Sequence, residues 1–315
     1  MAELINIFSW SISARADFVE CRRRRYWAKY AMWNGWKEQA TKLQRTAYRL
    51  CKMDNRFTLQ GNAVEQAVMW ALHERRAGRT VTTDEAYDSV AKPYLNRCWS
   101  ESRKKDWQSN PKKYCCLHEH YYTALYHDSE KEMTTQIISR IKQCIGHFLE
   151  KILPGLADIR PEQEIPIATV STGDPESFRL DDVKIYAIPD YAYRGDNRLH
   201  IHDWKSGHPK PAHRDQMAIY GLWANRKHRI PADQIQIHLE YLLSGQTISV
   251  ELKDEDMACA RQLVTESVVE MAEYLEHGDI RKNTPLPQGD WELSADMHLC
   301  ERCNFYELCK SELDG

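Results

Sequence analysis

Residues 188–205 read IPDYAYRGDNRLHIHDWK. A Gly-Asp-Asn tripeptide separates two runs that resemble β-strands, which is typical of a hairpin with a tight turn. If Asp196 and Asn197 are the central residues of that turn, Asp190 and Asp203 lie directly opposite each other on the same face of the sheet. Their Cβ atoms are then about 4.5–5.5 Å apart. The hairpin therefore predicts two adjacent carboxylates at one end of a strand pair.

Lys205 follows Asp203 by two residues, so its side chain shares the face of the two carboxylates. Two carboxylates this close raise the pKa of one of them or recruit a cation. Mg²⁺ prefers oxygen ligands and often takes one or two carboxylates together with substrate phosphate. The pattern therefore indicates a divalent-metal site beside a lysine that balances negative charge. Two alternatives stay open: an ordinary surface Asp–Lys pair, and a register shifted by one residue, which would separate the carboxylates.

The composition of the chain limits the classes of protein to which it can belong. Its 315 residues are 42% hydrophobic and 28% charged, which excludes a disordered chain, a collagen and a coiled-coil rod. The apolar runs are too short for a membrane span, and the first ten residues do not resemble a secretory signal, so we expect a cytoplasmic protein. The net charge is −3. Any contact with nucleic acid must therefore use local basic patches, such as Arg22, Arg23, Arg24 and Arg25.

The hydrophobic period changes along the chain. Much of residues 13–153 has helical spacing, whereas residues 164–205 form short β-segments. A helix over 212–224, a strand from Ile235 and a long amphipathic helix follow, and this order predicts an α/β protein. We divide it into an N-terminal helical subdomain with the Cys21 segment (1–160), a core (161–280) and a C-terminal segment that carries a cysteine cluster (281–315), together forming one compact unit.

Two further patterns carry candidate functional residues. Gln216 and Tyr220 are four residues apart on a predicted helix, so both face one side of it, toward a phosphate backbone or the metal site. Cys300, Cys303 and Cys309 form a C-x2-C-x5-C cluster near the C-terminus. With a fourth thiolate they could hold a [4Fe-4S] cluster or a tetrahedral zinc ion, and the spacing alone does not separate the two.

The ordered set of motifs resembles the PD-(D/E)XK nuclease superfamily, in its RecB-like branch with an iron–sulfur cluster. The most similar groups are the CRISPR-associated iron–sulfur exonucleases and the AddB-type nuclease domains. The resemblance implies a restriction-endonuclease-like mixed central sheet flanked by helices, with residues 161–280 as the nuclease core. The residues that carry it are Pro189-Asp190, Asp203-Trp204-Lys205, Gln216 and Tyr220, the S-x-S…F-x-x-C opening from Ser11 to Cys21, and the three C-terminal cysteines.

The resemblance also implies roles for individual residues. One departure concerns the first motif, in which the family has a Gly followed four residues later by a metal-binding His. Here Gly61 is followed by Glu65, whose carboxylate can bind the same hard ions. The resemblance implies that Mg²⁺ or Mn²⁺ is bound by Asp190, Asp203, the Trp204 carbonyl and Glu65. It implies that Lys205 positions water and that Gln216 and Tyr220 line the substrate channel. The implied cluster ligands are Cys21, Cys300, Cys303 and Cys309, and the implied DNA-binding residues are Arg22, Arg23, Arg24 and Arg25.

Together these features predict a metal-dependent deoxyribonuclease that hydrolyses phosphodiester bonds in single-stranded DNA or at DNA ends, as an exonuclease rather than an endonuclease. The chain has no G-x-x-x-x-G-K-[ST] loop, so a helicase motor would be a separate protein. Two alternatives remain. One is a catalytically weak or silent DNA-binding subunit of a repair, CRISPR or antiviral complex, suggested by Glu65. The other is a zinc-bearing protein without a nucleic-acid role.

Overall fold

Two β-sheets form in the part of the chain that the structure describes, a computed structural model covering residues 4–127, 129–169 and 173–313. A three-stranded sheet has the order β1-β3-β2, and a four-stranded sheet has the order β4-β5-β6-β7. Each sheet contains one parallel pair, β1 with β3 and β5 with β6. The strands are β1 (Ser9–Trp10), β2 (Ser177–Leu180), β3 (Val183–Tyr186), β4 (Tyr191–Gly195), β5 (Arg198–Lys205), β6 (Ile235–Tyr241) and β7 (Gln246–Glu251).

The division into two sheets differs from the single central sheet that the sequence predicts. The chain passes from one sheet to the other between β3 and β4, through residues 187–190. Pro189 lies in this passage and has no N–H group to donate to a neighbouring strand. The mixed α/β arrangement remains consistent with a restriction-endonuclease-like fold.

The β4–β5 hairpin has the register that the sequence predicts. Tyr191 pairs with His202 at the end of the antiparallel ladder. The two residues of the turn have φ values of 49° and 61°, which is the left-handed backbone that a two-residue hairpin turn requires. The next position beyond the ladder places Asp190 opposite Asp203. The predicted pairing of the two strands is therefore confirmed.

Helices surround both sheets. Residues at the helix ends define where several of them begin. At the start of α4, the Asn55 side chain accepts hydrogen bonds from the backbone N–H groups of Phe57 and Thr58. None of the described helices is long and apolar enough to cross a membrane. The α-helices are α1 (Ile12–Glu20), α2 (Arg22–Tyr26), α3 (Lys42–Cys51), α4 (Arg56–Arg76), α5 (Thr83–Ala86), α6 (Lys92–Lys104), α7 (His118–Tyr121), α8 (Glu130–His147), α9 (Leu153–Leu156), α10 (Ala212–His228), α11 (Asp254–Ala272), α12 (Met297–Glu301) and α13 (Tyr306–Leu313).

The two faces of the four-stranded sheet belong to different hydrophobic cores. Leu199 and Ile201 of β5 pack with residues of α10 and α11. Trp204 points the other way and packs with α4 and α8. Its ring centroid lies 5.3 Å from that of Phe148, the residue that follows α8. Because side chains alternate along a strand, Asp203 lies on the face that α10 covers.

Contacts between distant parts of the chain join its two ends. β1 pairs with β3, so the N-terminal segment is part of a sheet whose other strands come from the core. A separate hydrophobic core contains Trp27 and Leu50 together with Phe305 and Cys309. These contacts bury side chains across the proposed boundaries at residues 160 and 280. The division of the chain at these residues stays a prediction.

Candidate active site

The two aspartates and the lysine of the hairpin converge at the end of β5. Asp203 is buried, and its Oδ2 lies 2.5 Å from Nζ of Lys205. Asp190 reaches across from the start of β4, and its Oδ2 accepts a 2.6 Å hydrogen bond from the backbone N–H of Trp204. The hairpin register thus brings two carboxylates and one ammonium together, as the sequence predicts.

The electrostatics of this pair favour a cation. Burial raises the pKa of Asp190 well above its usual range, and the nearby charge of Asp203 raises it further, while Lys205 opposes the shift. Oδ2 of Asp203 is buried, and its partner is the Lys205 ammonium. Because one ammonium cannot balance the charge of two neighbouring carboxylates, a divalent cation would stabilise this arrangement. The oxygen donor set fits Mg²⁺ or Mn²⁺.

Helix α10 holds the charged groups in place through a chain of hydrogen bonds. Lys205 Nζ donates to Oε1 of Gln216 over 2.9 Å, and Nε2 of Gln216 donates to the Tyr220 hydroxyl over 2.7 Å. The Tyr220 hydroxyl donates to Oδ1 of Asp203 over 2.8 Å. Burial and the charge of Asp203 raise the pKa of Tyr220 well above its usual range, so the hydroxyl keeps the proton that it donates. Gln216 and Tyr220 therefore orient Lys205 and Asp203.

The same two side chains also line a groove beside the site. Ser11 and Ser13, at the start of α1, line this groove with them. Tyr220 is almost completely buried and Gln216 is partly exposed at its edge. Gln216 and Tyr220 thus lie beside Asp203 and Lys205, and their role in lining a substrate channel stays a prediction.

Glu65 approaches the site from the opposite side, on α4. Gln60 of the same helix donates a 2.9 Å hydrogen bond to the carbonyl of Ser206, directly after β5, and the Ser206 side chain lies beside Gly61. Burial raises the pKa of the Glu65 carboxyl, and the charge of Asp203 contributes to the shift. Part of the Glu65 side chain is exposed to solvent. The fold thus brings Glu65 into the electrostatic neighbourhood of Asp203, as its predicted role requires.

The described residues do not contain a group of three or more His, Cys, Asp or Glu side chains arranged closely enough to hold a metal ion. For the carboxylates, this means that Asp190, Asp203 and Glu65 do not all converge on one point. Metal binding by these residues therefore stays a prediction, supported by the buried charge of the pair.

His213 is a residue of this site that the sequence analysis missed. Its Nδ1 lies 3.0 Å from the Tyr241 hydroxyl and 3.3 Å from the backbone nitrogen of Lys210. Since an amide N–H can only donate, Nδ1 accepts, and the neutral imidazole carries its proton on Nε2. The signal was present in the sequence, because His213 precedes Gln216 by three residues and shares its helix face.

Comparison with known proteins adds one finding to this geometry. A family model of the PD-(D/E)XK nuclease superfamily matches residues 9–310. The chain belongs to the PD-(D/E)XK nuclease superfamily. No protein with a curated function matches the sequence. Membership of the PD-(D/E)XK superfamily implies a nuclease-type function, and a nuclease binds DNA.

The four arginines that follow Cys21 make contacts within this PD-(D/E)XK protein. Arg23 is buried and pairs with Glu312 over 2.7 Å. Arg24 pairs with Asp17 and Glu20. Arg22 lies over the Phe18 ring, and Arg25 donates to the carbonyl of Ser9. Each of the four thus has a contact within the protein, and their contact with DNA stays a prediction.

The four cysteines of the PD-(D/E)XK chain that were predicted to bind a cluster line one pocket. Three of their sulfur atoms accept hydrogen bonds: Cys21 from the Arg24 backbone (3.4 Å), Cys303 from the Phe305 backbone (3.5 Å) and Cys309 from the Trp27 indole (3.2 Å). Such N–H···S contacts stabilise metal-bound thiolates. The thiols are free and are not at ligand distances. The donor set fits a four-thiolate metal group, and its occupant stays a prediction.

Proposed function

We propose that this PD-(D/E)XK protein is a metal-dependent deoxyribonuclease that hydrolyses phosphodiester bonds in single-stranded DNA or at DNA ends. The observation that carries the proposal is the convergence of Asp190, Asp203 and Lys205 at the end of β5. Tyr220 and Gln216 hold these groups in a defined arrangement. A purely structural Asp–Lys pair would not need a second buried carboxylate beside it.

Asp190, Asp203, the Trp204 carbonyl and Glu65 would hold the Mg²⁺ or Mn²⁺ ion. When bound, the ion supplies positive charge to the phosphate and lowers the pKa of a water molecule. Lys205 is hydrogen-bonded to Gln216 and lies against Asp203, so its ammonium is held where it can orient water or balance charge on phosphorus. Its donors not used by these two residues are available for a substrate oxygen.

His213 would contact the strand beside the scissile phosphate. The proton on its Nε2 is a donor for a phosphate oxygen, since Nδ1 is occupied by the Tyr241 hydroxyl and the Lys210 backbone. Arg214, its neighbour in the chain, lines the same groove as His213 and Lys210 and adds positive charge there.

The proposal is tested with linear and circular single-stranded DNA of one sequence, each incubated with Mn²⁺ or Mg²⁺. We expect degradation of the linear form and an intact circle, because an exonuclease needs an end. Chelation of the metal should stop the reaction. Cutting of the circle would indicate an endonuclease. Cleavage of neither form would contradict the proposal and favour the alternative function.

That alternative is a catalytically weak or silent DNA-binding subunit of a repair, CRISPR or antiviral complex. The observation that favours it is the position of Glu65, which is partly exposed and does not form a three-ligand group with the two aspartates. A DNA-binding assay separates this function from a protein without any nucleic-acid role, because phosphate contacts make binding depend steeply on salt concentration.

We further propose that the chain belongs to the RecB-like branch and carries a [4Fe-4S] cluster on Cys21, Cys300, Cys303 and Cys309. The pocket that the four thiols share supports this proposal, and zinc is the competing occupant. We place the protein in the cytoplasm, a reducing compartment in which thiols stay available to bind metal. A helicase partner would be a separate chain.

Replacing Tyr220 by phenylalanine is expected to slow cleavage about 10- to 100-fold, the usual effect of losing a hydrogen bond to a charged group. Tyr220 is a positioning residue, so the concentration of Mn²⁺ needed for half-maximal activity should rise as well. Tyr274→Phe is the matched control, because the Tyr274 hydroxyl also donates to a carboxylate, that of Glu292, away from the site. Equal activity of the two variants would show that the Tyr220 hydroxyl does not orient Asp203.

A further inference from the structure

A wide groove outside the candidate active site is lined by aromatic side chains. The Trp33 and Trp36 ring centroids are 5.0 Å apart, and those of Trp36 and Tyr48 are 5.5 Å apart. Trp36 is 39% exposed, which is high for so large an apolar side chain. We call this surface the Trp36 groove. It offers an indole ring to solvent with two aromatic side chains to support it.

Positive charge surrounds the aromatic side chains of the Trp36 groove. Glu38 is the one acidic residue among those that line it. Within the described residues, four of the lining cations form no ion pair with a carboxylate. These cations are Arg45, Arg49, Lys52 and Lys112.

The two arginines are held in place without losing their charge. Arg45 donates to the carbonyl of Ala40 over 3.0 Å, and Arg49 donates to that of Gln108 over 3.1 Å. Each guanidinium has five N–H groups, so most of its donors remain for a ligand. Lys52 lies 5.7 Å from the Tyr48 ring centroid. The two arginines are therefore held beside the aromatic side chains, with Lys52 close to them, and all three can still bind an anion.

The net charge of the whole chain is −3, so this local excess of positive charge is not a general property of the surface. It also differs from the cluster at Arg22–Arg25, where Arg23 and Arg24 pair with carboxylates inside the protein. An exposed aromatic ring can stack on a flat apolar face, and the unpaired cations around it can contact negative charges. The surface is therefore suited to bind a polymer that carries both flat apolar faces and regularly spaced negative charge.

We propose that the Trp36 groove binds single-stranded nucleic acid, with Trp36 stacked on an unpaired base and the four cations in contact with phosphates. A single strand fits better than a duplex because duplex bases already stack on one another and cannot lie on the indole. The groove is lined by α3, the segment before it and residues 108–112, together with Leu4 and Lys52, none of which contributes to the candidate active site. The inference deepens the proposed nuclease function, on which the choice of DNA over RNA rests.

The test measures binding of the full-length protein to a fluorescent single-stranded oligonucleotide by anisotropy, with EDTA present so that no metal-dependent cleavage occurs. We expect Trp36→Ala to weaken binding about tenfold, within the range for loss of one stacked base, and Trp36→Phe to restore most of it. The double variant R49E/K52E should weaken binding further. It should also lower the slope of log affinity against log salt by about 1.4, since two phosphate contacts are lost.

Lys92→Glu is the matched control, because Lys92 is exposed on α6 and pairs with Asp88. K52Q/K112Q provides a milder change if the charge reversal lowers the thermal midpoint. Binding of duplex DNA and of single-stranded RNA with the same sequence is measured in the same way. Weaker binding of the duplex supports stacking of Trp36 on an unpaired base. Equal binding of RNA assigns the groove to both nucleic acids.

Wild-type affinity in Trp36→Ala and in both double variants would overturn the proposal. Cleavage by the wild type together with that result would leave the nuclease proposal standing. Conversely, weakened binding in the groove variants of a protein that does not cleave DNA would support the groove and reject the nuclease. The two proposals therefore fail in distinguishable ways.

Discussion

Asp203→Asn is expected to reduce metal-dependent DNA cleavage by about 10³-fold or more, equivalent to about 4 kcal/mol of transition-state stabilisation. Asparagine keeps the size of the side chain and can still accept the hydrogen bond that Tyr220 donates to Oδ1. It cannot supply negative charge to a divalent ion, so the site loses the proposed metal ligand that lies beside Lys205. The measurement is single-turnover cleavage of labelled single-stranded DNA with Mn²⁺.

The same variant should fold about as stably as the wild type when no metal is present. Asp190 has a raised pKa because it is buried and because Asp203 lies beside it. Removing the charge of Asp203 relieves this repulsion but also takes from Lys205 its carboxylate partner. The two effects oppose each other, so the thermal midpoint without metal should change little. The stabilisation that Mn²⁺ gives the wild type should disappear.

The control for this experiment is Asp182→Asn, which removes an exposed carboxylate that pairs with Arg281 at the surface. It should leave both cleavage and the response to Mn²⁺ unchanged. If Asp203→Asn cleaved DNA as fast as this control, Asp203 would not belong to the catalytic site, and the nuclease proposal would lose its main support.

Cys21→Ala is expected to remove the visible absorption and the bound iron of anaerobically purified protein. It should also lower the free energy of unfolding by about 5 kcal/mol, the chain entropy of closing a loop of more than 100 residues. The reason is that ligation would tie Cys21 to Cys300, Cys303 and Cys309 in the same pocket, at opposite ends of the sequence. A loss of this size would lower the thermal midpoint by more than about 10 °C. Iron analysis, absorption spectra and thermal unfolding provide the measurements.

Cys259→Ala is the matched control, since Cys259 is an exposed free thiol on α11 and does not line the pocket. It should keep the iron and the stability of the wild type. Colourless protein with bound zinc would reject the iron–sulfur cluster and retain the cross-link between the two ends. Unchanged metal content and stability in Cys21→Ala would reject both.

Much of the active-site geometry could be predicted because it depends on neighbouring residues. The turn chemistry of Asp196 and Asn197 sets the hairpin register, and the register sets which residues face each other. In the same way, the four-residue spacing of Gln216 and Tyr220 places both on one helix face, where the structure shows them bonded to each other. These relations follow from backbone geometry that is nearly independent of the rest of the fold.

The environment of each charge could not be predicted in this way. The Arg22–Arg25 cluster looks like a DNA-binding patch in the sequence, but Arg23 is buried against Glu312, which lies close to the other end of the chain. Arg45 and Arg49 form no comparable pattern in the sequence. They become neighbours of Trp36 only because α3 packs beside the segment before it.

The amino-acid sequence by itself determined the pairing of the β4–β5 hairpin and the face shared by Asp203 and Lys205, because the two-residue period of a strand and the demands of a tight turn act over short distances. The tertiary structure decided the environment of each arginine: Arg23 is buried against Glu312, whereas Arg45 and Arg49 line the Trp36 groove without a carboxylate partner among the described residues. Those outcomes depend on contacts between residues far apart in the chain, and such contacts arise only when the whole hydrophobic core forms.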